Sequence, residues 1–468
     1  MVRGAFNISY THAGGVGGRG GGRQGTGQLG YSGGLSIASP DNGITPGLYL
    51  TDAGNNAFPS YAAATPTSAF GTGYTTTPDY TGAPNGVIYA DPYLSRRAPY
   101  YENFNFGVQQ ELWHQMILNV NYAGSNGHFL GTGIGHGIYS NQLDPQYFSL
   151  GSMLNLPATS ANVAKVQTVL PSYKLPYANF SPKATIGQSL RPFAQYNGFS
   201  DVWGDMGNSN YDALEITLNQ KARHGLSYTI NYTFSKLYDN TGTGRTAYGN
   251  NAYTERSLST ADQPSNVSAY AVWEEPFGKN GGNRFVNALI KNYAVSGIYR
   301  YTSGYPIVPT STGCTQPFSG TCMPSVNPNF SGSARINGGY GNALYKVATT
   351  TRYFDPNAFL APGSGSTYTT GVAGSKSGTY PAYLIGNAPR TYPFGLRAPG
   401  GDDTDVSLRR TFGIYERLNL TMQADVFNLT NNVRFSAPGA SVGSSSFGLI
   451  TGTANSSRDI QFSGRIDF

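Results

Sequence analysis

Three carboxylates crowd one segment of the chain, Asp402, Asp403 and Asp405 in GGDDTDVSL, and hard cations want several oxygens. They are the best metal candidates, but no glutamate follows at the interval an EF-hand loop requires. The pattern fits better a charged loop edge entering a strand, with Asp405 facing the lumen. Other patterns meet a motif in letters only. Gly15, Gly17 and Gly20 have GxGxxG spacing but lie in GGVGGRGGGRQGTG, and no helix with an apolar stripe follows to receive a pyrophosphate at its amino terminus. Ser32 in GYSGG has the spacing of a nucleophile elbow, yet LSIASPDNG cannot supply the helix such an elbow needs. His12, His114, His128, His136 and His224 form no HExxH or i, i+4 pair, against the several converging ligands of a zinc site. His114 and His224 read as solvated turn residues. Glu274 and Glu275 are neighbours at a strand end and point to opposite faces, which excludes joint acid–base work on one substrate. Asn428-Leu429-Thr430 has the form of a glycosylation triplet and reads as a strand-end turn. No catalytic residue, no cofactor and no enzyme activity are expected.

Cys314 and Cys322 lie in GCTQPFSGTC, a short loop of Gly, Ser and Pro. They read as a single disulfide, hence an oxidising compartment, with two free thiols as the alternative. Only 12% of the 468 residues are charged, against about 25% in ordinary globular chains. With mean hydropathy at −0.32, the polarity comes from Gly, Ser, Thr, Asn and Tyr, the mix of a β-rich wall with polar loops. The net charge of +6 is spread over the whole length without a basic stripe, so a nucleic-acid partner is not expected. No run approaches the roughly 18 apolar residues of a membrane-spanning helix. A membrane crossing would therefore have to be a closed β-barrel, the other structure that satisfies every backbone group internally.

The elements that would position these residues are strands. In RDIQFSGRIDF at the carboxyl end, Ile460, Phe462, Ile466 and Phe468 fall on one face, with Asp459, Gln461, Ser463, Arg465 and Asp467 on the other. The clearest hairpin is NYDALEITLNQKARHGLSYTINYTFSK. Leu214, Ile216 and Leu218 lead through a turn near Arg223 to Gly225 into Leu226, Tyr228, Ile230, Tyr232 and Phe234, opposite a row of small polar groups. Aromatics gather on the apolar side, as in interfacial girdles, so Tyr228, Ile230, Tyr232 and Phe234 are expected to face lipid. The unit recurs around Trp113–Gln115, around Gly413–Arg417 and, across a longer connection, between Val267–Trp273 and Tyr293–Tyr301. With Val2–Tyr10 this gives about ten antiparallel strands. The connections between hairpins, near 11–102, 124–209, 237–264, 303–403 and 429–456, are long and rich in Gly, Ser, Thr, Asn and Pro. They read as structureless extracellular loops, with the short turns periplasmic. Aromatic-rich stretches such as YTTTPDYTG and SYAAATPTSAFGTGY read as sugar or peptide contacts by stacking, or as packed lid residues.

Several segments, in order, resemble the carboxyl-terminal barrel portion of the Oar-like TonB-dependent outer-membrane receptors of Gram-negative bacteria: YENFNFGVQQEL, NVNYAGSNGHFL, AVWEEPFGK, SGIYRYTSGYPI, RAPGGDDTDVSLRRTFGI, LNLTMQADVFNLTNNVRFSAP and the closing RDIQFSGRIDF. The likeness runs from about Tyr100 to Phe468, with residues 1–99 a looser first strand and loop. It implies that the chain is a single partial domain, part of a plugged barrel of about 22 strands, that takes up nutrient with energy relayed from the inner membrane. A signal peptide, the segment that engages the TonB system and the plug are all expected to be missing, leaving the chain alone unable to transport. The resemblance also implies lipid and the barrel-assembly machinery as partners, with Phe462, Ile466 and Phe468 as the assembly signal, and an unidentified ligand at the outer loops. Two rivals remain open: a self-contained outer-membrane channel or adhesin of about ten strands, and a soluble secreted carbohydrate-binding β-protein.

Overall fold

A computed structural model describes residues 1–10, 44, 86–89, 98–130, 141–177, 180–194, 198–201, 207–240, 256–274, 291–311, 324–328, 330–335, 352–361, 367–368, 378–379, 388–391, 396–415 and 418–468. Ten long strands form one antiparallel sheet in which each pairs with the next in sequence. They are β1 (Val2–Tyr10), β2 (Tyr100–Glu111), β3 (Met116–Leu130), β4 (Gly207–Arg223), β5 (Leu226–Asp239), β6 (Ser265–Glu274), β7 (Tyr293–Thr302), β8 (Gly401–Tyr415), β9 (Leu418–Phe427) and β10 (Asp459–Asp467). The shortest has nine residues and the longest 17, enough for the about 9–11 that a tilted membrane-spanning strand needs. The sheet is open, with β1 and β10 as its edges. No described helix is long and apolar enough to cross a membrane.

Alternation along each strand and the register between strands combine into continuous rows. Val2, Val108, Val120, Ile216, Tyr232 and Val267 stand side by side across β1 to β6. Val406, Val426 and Ile460 extend the same face across β8 to β10. Among the described residues no protein layer covers this face: Phe106 is 56% exposed, Phe234 47%, Leu408 45% and Phe462 79%. Of the buried apolar residues among those described, Leu130, Ala213 and Ala294 alone belong to the wall. A row that would fill a core in a soluble sandwich is here the outside of the molecule.

Short turns join β2 to β3 and β4 to β5 at one end of the sheet. His224 and Gly225, at φ 48° and 80°, make the two-residue left-handed turn that matches strand twist, and His114 and Gln115, at 64° and 63°, do the same inside Trp113–Gln115. Both histidines sit in turns as the sequence indicates. Gly124 on β3 leaves room for the Phe104 ring, which lies where its Cβ would be.

The connections at the other end differ from expectation. Where they are described they are folded, and they hold nearly all the buried apolar residues among the described ones. Between β3 and β4, Leu143, Leu150, Leu154, Val166, Tyr173 and Ile186 pack with a 3-10 segment (Pro145–Asn155), helix α1 (Ser160–Gln167) and helix α2 (Ile186–Ser189) into one cluster. Thr159 and Thr185 cap the two helices. Tyr173 Oη lies 2.6 Å from Ser189 Oγ inside it, and burial pushes that phenol above its ordinary range. A second cluster joins the β7–β8 and β9–β10 connections: Phe354 and Phe359 meet Phe447 at ring distances of 6.1 and 5.9 Å, with Ile307, Leu396 and Ile450 around them. These apolar residues are scattered without period among Gly, Ser and Pro, so neither strand nor helix spacing marks them in the sequence.

Candidate functional site

The face opposite the apolar rows carries a hydrogen-bonded ladder of small polar side chains. Asn103 donates to Asn7 at 3.0 Å and accepts from Ser125 at 2.8 Å, and Asn121 donates to Glu215 at 3.0 Å. Farther along, Thr217 donates to Asn231 at 3.0 Å, and Asn231 to Ser268 at 3.3 Å. The amides and hydroxyls offer donors and acceptors, so most of the ladder pairs neutral groups, with Glu215 as a carboxylate acceptor.

At the loop end of β4, β5 and β6 this face opens into a cleft of about 310 Å³ lined by Tyr211, Glu215, Thr233, Leu237, Asp262 and Asn266, among others. The β5–β6 connection folds back to form one side. The Ser235 N–H donates to the Pro264 carbonyl at 3.0 Å, and the Leu237 N–H donates to Asp262 Oδ1 at 2.7 Å. Two arginines of the β7–β8 connection hold this element from above. Arg397 pairs with Asp262 Oδ2 and donates to the carbonyls of Asp262 and Gly304, both at 3.1 Å. Arg390 pairs with Asp239 at the end of β5 and donates to its carbonyl at 2.7 Å. The Arg390 and Asp262 side chains are 1% and 0% exposed, so both pairs are buried on one side at least. Thr391 donates to the Leu258 carbonyl at 3.0 Å, completing a clasp between two connections. Gly304 lies so close to the Ala398 carbonyl that a Cβ would collide with it. Gly304→Ala is expected to cost about 1–3 kcal/mol and to speed protease cleavage within 303–400. Unchanged cleavage would show that this backbone contact does not seat the clasp.

The clasp residues carry no motif. Their one signal is rarity, since charge inside Gly- and Pro-rich loops is unusual in a chain only 12% charged.

The sequence candidates land as follows. Asp402 accepts from Asn432 Nδ2 at 3.0 Å, Asp405 accepts from the Asn428 N–H at 2.9 Å, and Asp403 stands in register with Arg300. Asp402 and Asp405 point to opposite faces of β8, and among the described residues no three His, Cys, Asp or Glu side chains cluster as for a metal. Asn428, buried and at φ 49°, donates to the carbonyls of Asn432 at 3.0 Å and Ser456 at 3.1 Å. It is a strand-end plug, closed to glycosylation. His128 lies at the loop-end rim, 3.8 Å from Glu102 and stacked on Tyr100. The Glu274 N–H donates to the Gly225 carbonyl at 2.8 Å. Tyr228, Ile230, Tyr232 and Phe234 share the uncovered face, and Phe462, Ile466 and Phe468 stand exposed at the β10 edge. His12, His136, Glu275, Gly15, Gly17, Gly20, Ser32, Cys314, Cys322 and the aromatic-rich stretches of the first connection lie outside the described residues.

Three solved structures show how this chain compares. It is similar to the outer membrane transporter YddB from Escherichia coli at 11% identity and TM-score 0.38, over 83% of this chain and 35% of that one. Against the ferripyoverdine receptor of the outer membrane of Pseudomonas aeruginosa the identity is 11% and the TM-score 0.34, over 81% and 29%. Against the ferric-catecholate import receptor Fiu from E. coli K12 they are 8% and 0.32, over 80% and 28%. The chain thus spans about a third of the length of these structures. No curated protein matches the sequence. The sequence model of the family described as outer membrane beta barrel domain matches residues 1–461, nearly the whole chain. The chain belongs to the outer membrane beta barrel domain family, and its place is the outer membrane of a Gram-negative bacterium.

Proposed function

We propose that the chain is the carboxyl-terminal barrel part of an Oar-like TonB-dependent receptor for nutrient uptake, a single wall domain without catalysis. The observation that carries this reading is the pairing of an uncovered apolar face with a self-satisfied polar face across ten consecutive strands. Lipid solvates the first, with Tyr228, Ile230, Tyr232 and Phe234 in the band, and the second lines a lumen. Aromatics mark both borders of the band: Tyr10, Tyr100 and Tyr238 near the loops, Tyr228, Trp273 and Tyr293 near the turns. The open edges at β1 and β10 favour a share in a larger wall over a self-contained channel or adhesin, and the family excludes the soluble rival. Specificity lies in the folded outer connections, while gating and the energy link belong to a plug.

The test is uptake. Cells with and without the gene are incubated in complex medium with and without a protonophore, and accumulated solutes are compared. A solute whose accumulation needs both the gene and the proton gradient is expected; one that needs the gene but ignores the protonophore would make the chain a passive channel. The second expectation concerns assembly. Phe468 is 99% exposed at the end of the edge strand, free for capture by the barrel-assembly machinery. Deleting it should lower the yield in the outer-membrane fraction severalfold, and an unchanged yield would remove the assembly signal from Phe462, Ile466 and Phe468.

A further inference from the structure

The cleft between β4, β5 and the β5–β6 connection is built for a particular chemistry. Glu215 has one carboxylate oxygen engaged, by Asn121 at 3.0 Å. Among the described residues no hydrogen bond engages the Tyr211 phenol, the Thr233 hydroxyl or the Asn266 carboxamide, and all three line the same cleft. Together they offer a hydroxyl donor–acceptor pair, a carboxamide with both roles and one carboxylate acceptor. Leu237 and Ala261 add a small apolar surface beside them. A metal ion would need several carboxylates turned inward, but Asp262 is already committed to Arg397 and the Leu237 N–H. A large apolar ligand would find too little carbon. Vicinal hydroxyls on a ring with C–H faces use every one of these groups, each hydroxyl donating to one and accepting from the next. The volume of about 310 Å³ lies at the low end of small-molecule sites.

We infer that this cleft is a subsite for one or two units of a neutral saccharide. The inference rests on the receptor reading, since it needs the polar face to line a lumen that solute can enter. Asp262 fixes its floor, so the clasp made by Arg397 sets its shape.

The full chain is placed in lipid nanodiscs and probed by saturation-transfer NMR with maltose, cellobiose, lactose, xylobiose and mannobiose, with spermidine as a cationic control. At least one disaccharide is expected to receive saturation, with affinity about tenfold lower in Asn266→Ala, the loss of one good hydrogen bond. Thr233→Val, which keeps the shape of the side chain, should weaken the same sugar severalfold, and heat-dependent gel migration verifies that both variants fold. No signal from any of the five sugars overturns the inference, as does sugar binding that ignores both substitutions or binding of spermidine alone. Gradient-dependent uptake by cells with and without the gene separates the two readings. If uptake persists while the sugars fail, the cleft assignment falls and the receptor stands; if uptake is lost as well, both fall.

Discussion

Arginine at position 230 is expected to cost about 2–4 kcal/mol of unfolding free energy from a bilayer, the range for a cation on the lipid face of a barrel. Ile230 is 40% exposed on the uncovered face, between Leu218 and Ala269 on the neighbouring strands, and neither can help a charge. The wall already contains an arginine on that face, and the contrast is instructive. Arg410 donates to the Tyr293 hydroxyl at 2.9 Å and lies over the rings of Tyr293 and Phe412, at 4.6 and 4.4 Å. Such stacking favours a cation once it is desolvated. Position 230 has no such cradle. Arginine at position 231 is expected to cost only about 1 kcal/mol. The Asn231 carboxamide links Thr217 to Ser268, and losing these bonds is the source of that cost. Urea titration of the protein in lipid vesicles, followed by tryptophan fluorescence, reads both values. Equal losses at the two positions would mean that the faces are misassigned and the apolar row does not meet lipid.

The wall was legible because its signal has period two and spans many residues. Val2–Tyr10, Tyr100–Glu111 and Leu226–Asp239 each alternate over at least nine positions, and an apolar face kept to one side tolerates no slip of register. Turn chemistry was legible for the same local reason, with His224-Gly225 standing between two alternating runs. What the sequence concealed is made of contacts distant along the chain. Phe354 meets Phe447, and Arg390 meets Asp239 across 151 residues. No periodicity announces such contacts, because the loops supplying them have none. The cleft was concealed in the same way, since Asn266 and Tyr211 reach it only once β4 and β6 flank β5. Strand boundaries moved outward for a related reason: β3 runs on to Leu130 and β4 begins at Gly207. Polar residues beyond the apolar band continue the ladder by backbone pairing, with Asn210 also donating to Asn126 at 2.7 Å.

Breaking the clasp by Arg397→Met should be the most damaging single change outside the wall. Asp262 has a fully buried side chain, and removing its cation leaves a carboxylate held only by the Leu237 N–H at 2.7 Å. Leaving one member of a buried pair uncompensated costs about 3–5 kcal/mol. The loss should be local, because the sheet ladders do not pass through Arg397. Native-state hydrogen exchange should therefore quicken by about a hundredfold or more at the Thr391, Ile307 and Ala398 amides, while the β4–β5 ladder keeps its protection. Those amides report directly: Ala398 donates to the Tyr305 carbonyl at 2.8 Å, and Ile307 to the Leu396 carbonyl at 2.8 Å. The double change Asp262→Leu with Arg397→Met removes both charges and should recover much of the loss, since replacing a buried pair by apolar groups is often neutral. Two outcomes would refute the clasp. Faster exchange spread evenly over the wall would make Arg397 a general stabiliser. A double variant as damaged as the single one would show that packing, and not the stranded carboxylate, sets the cost.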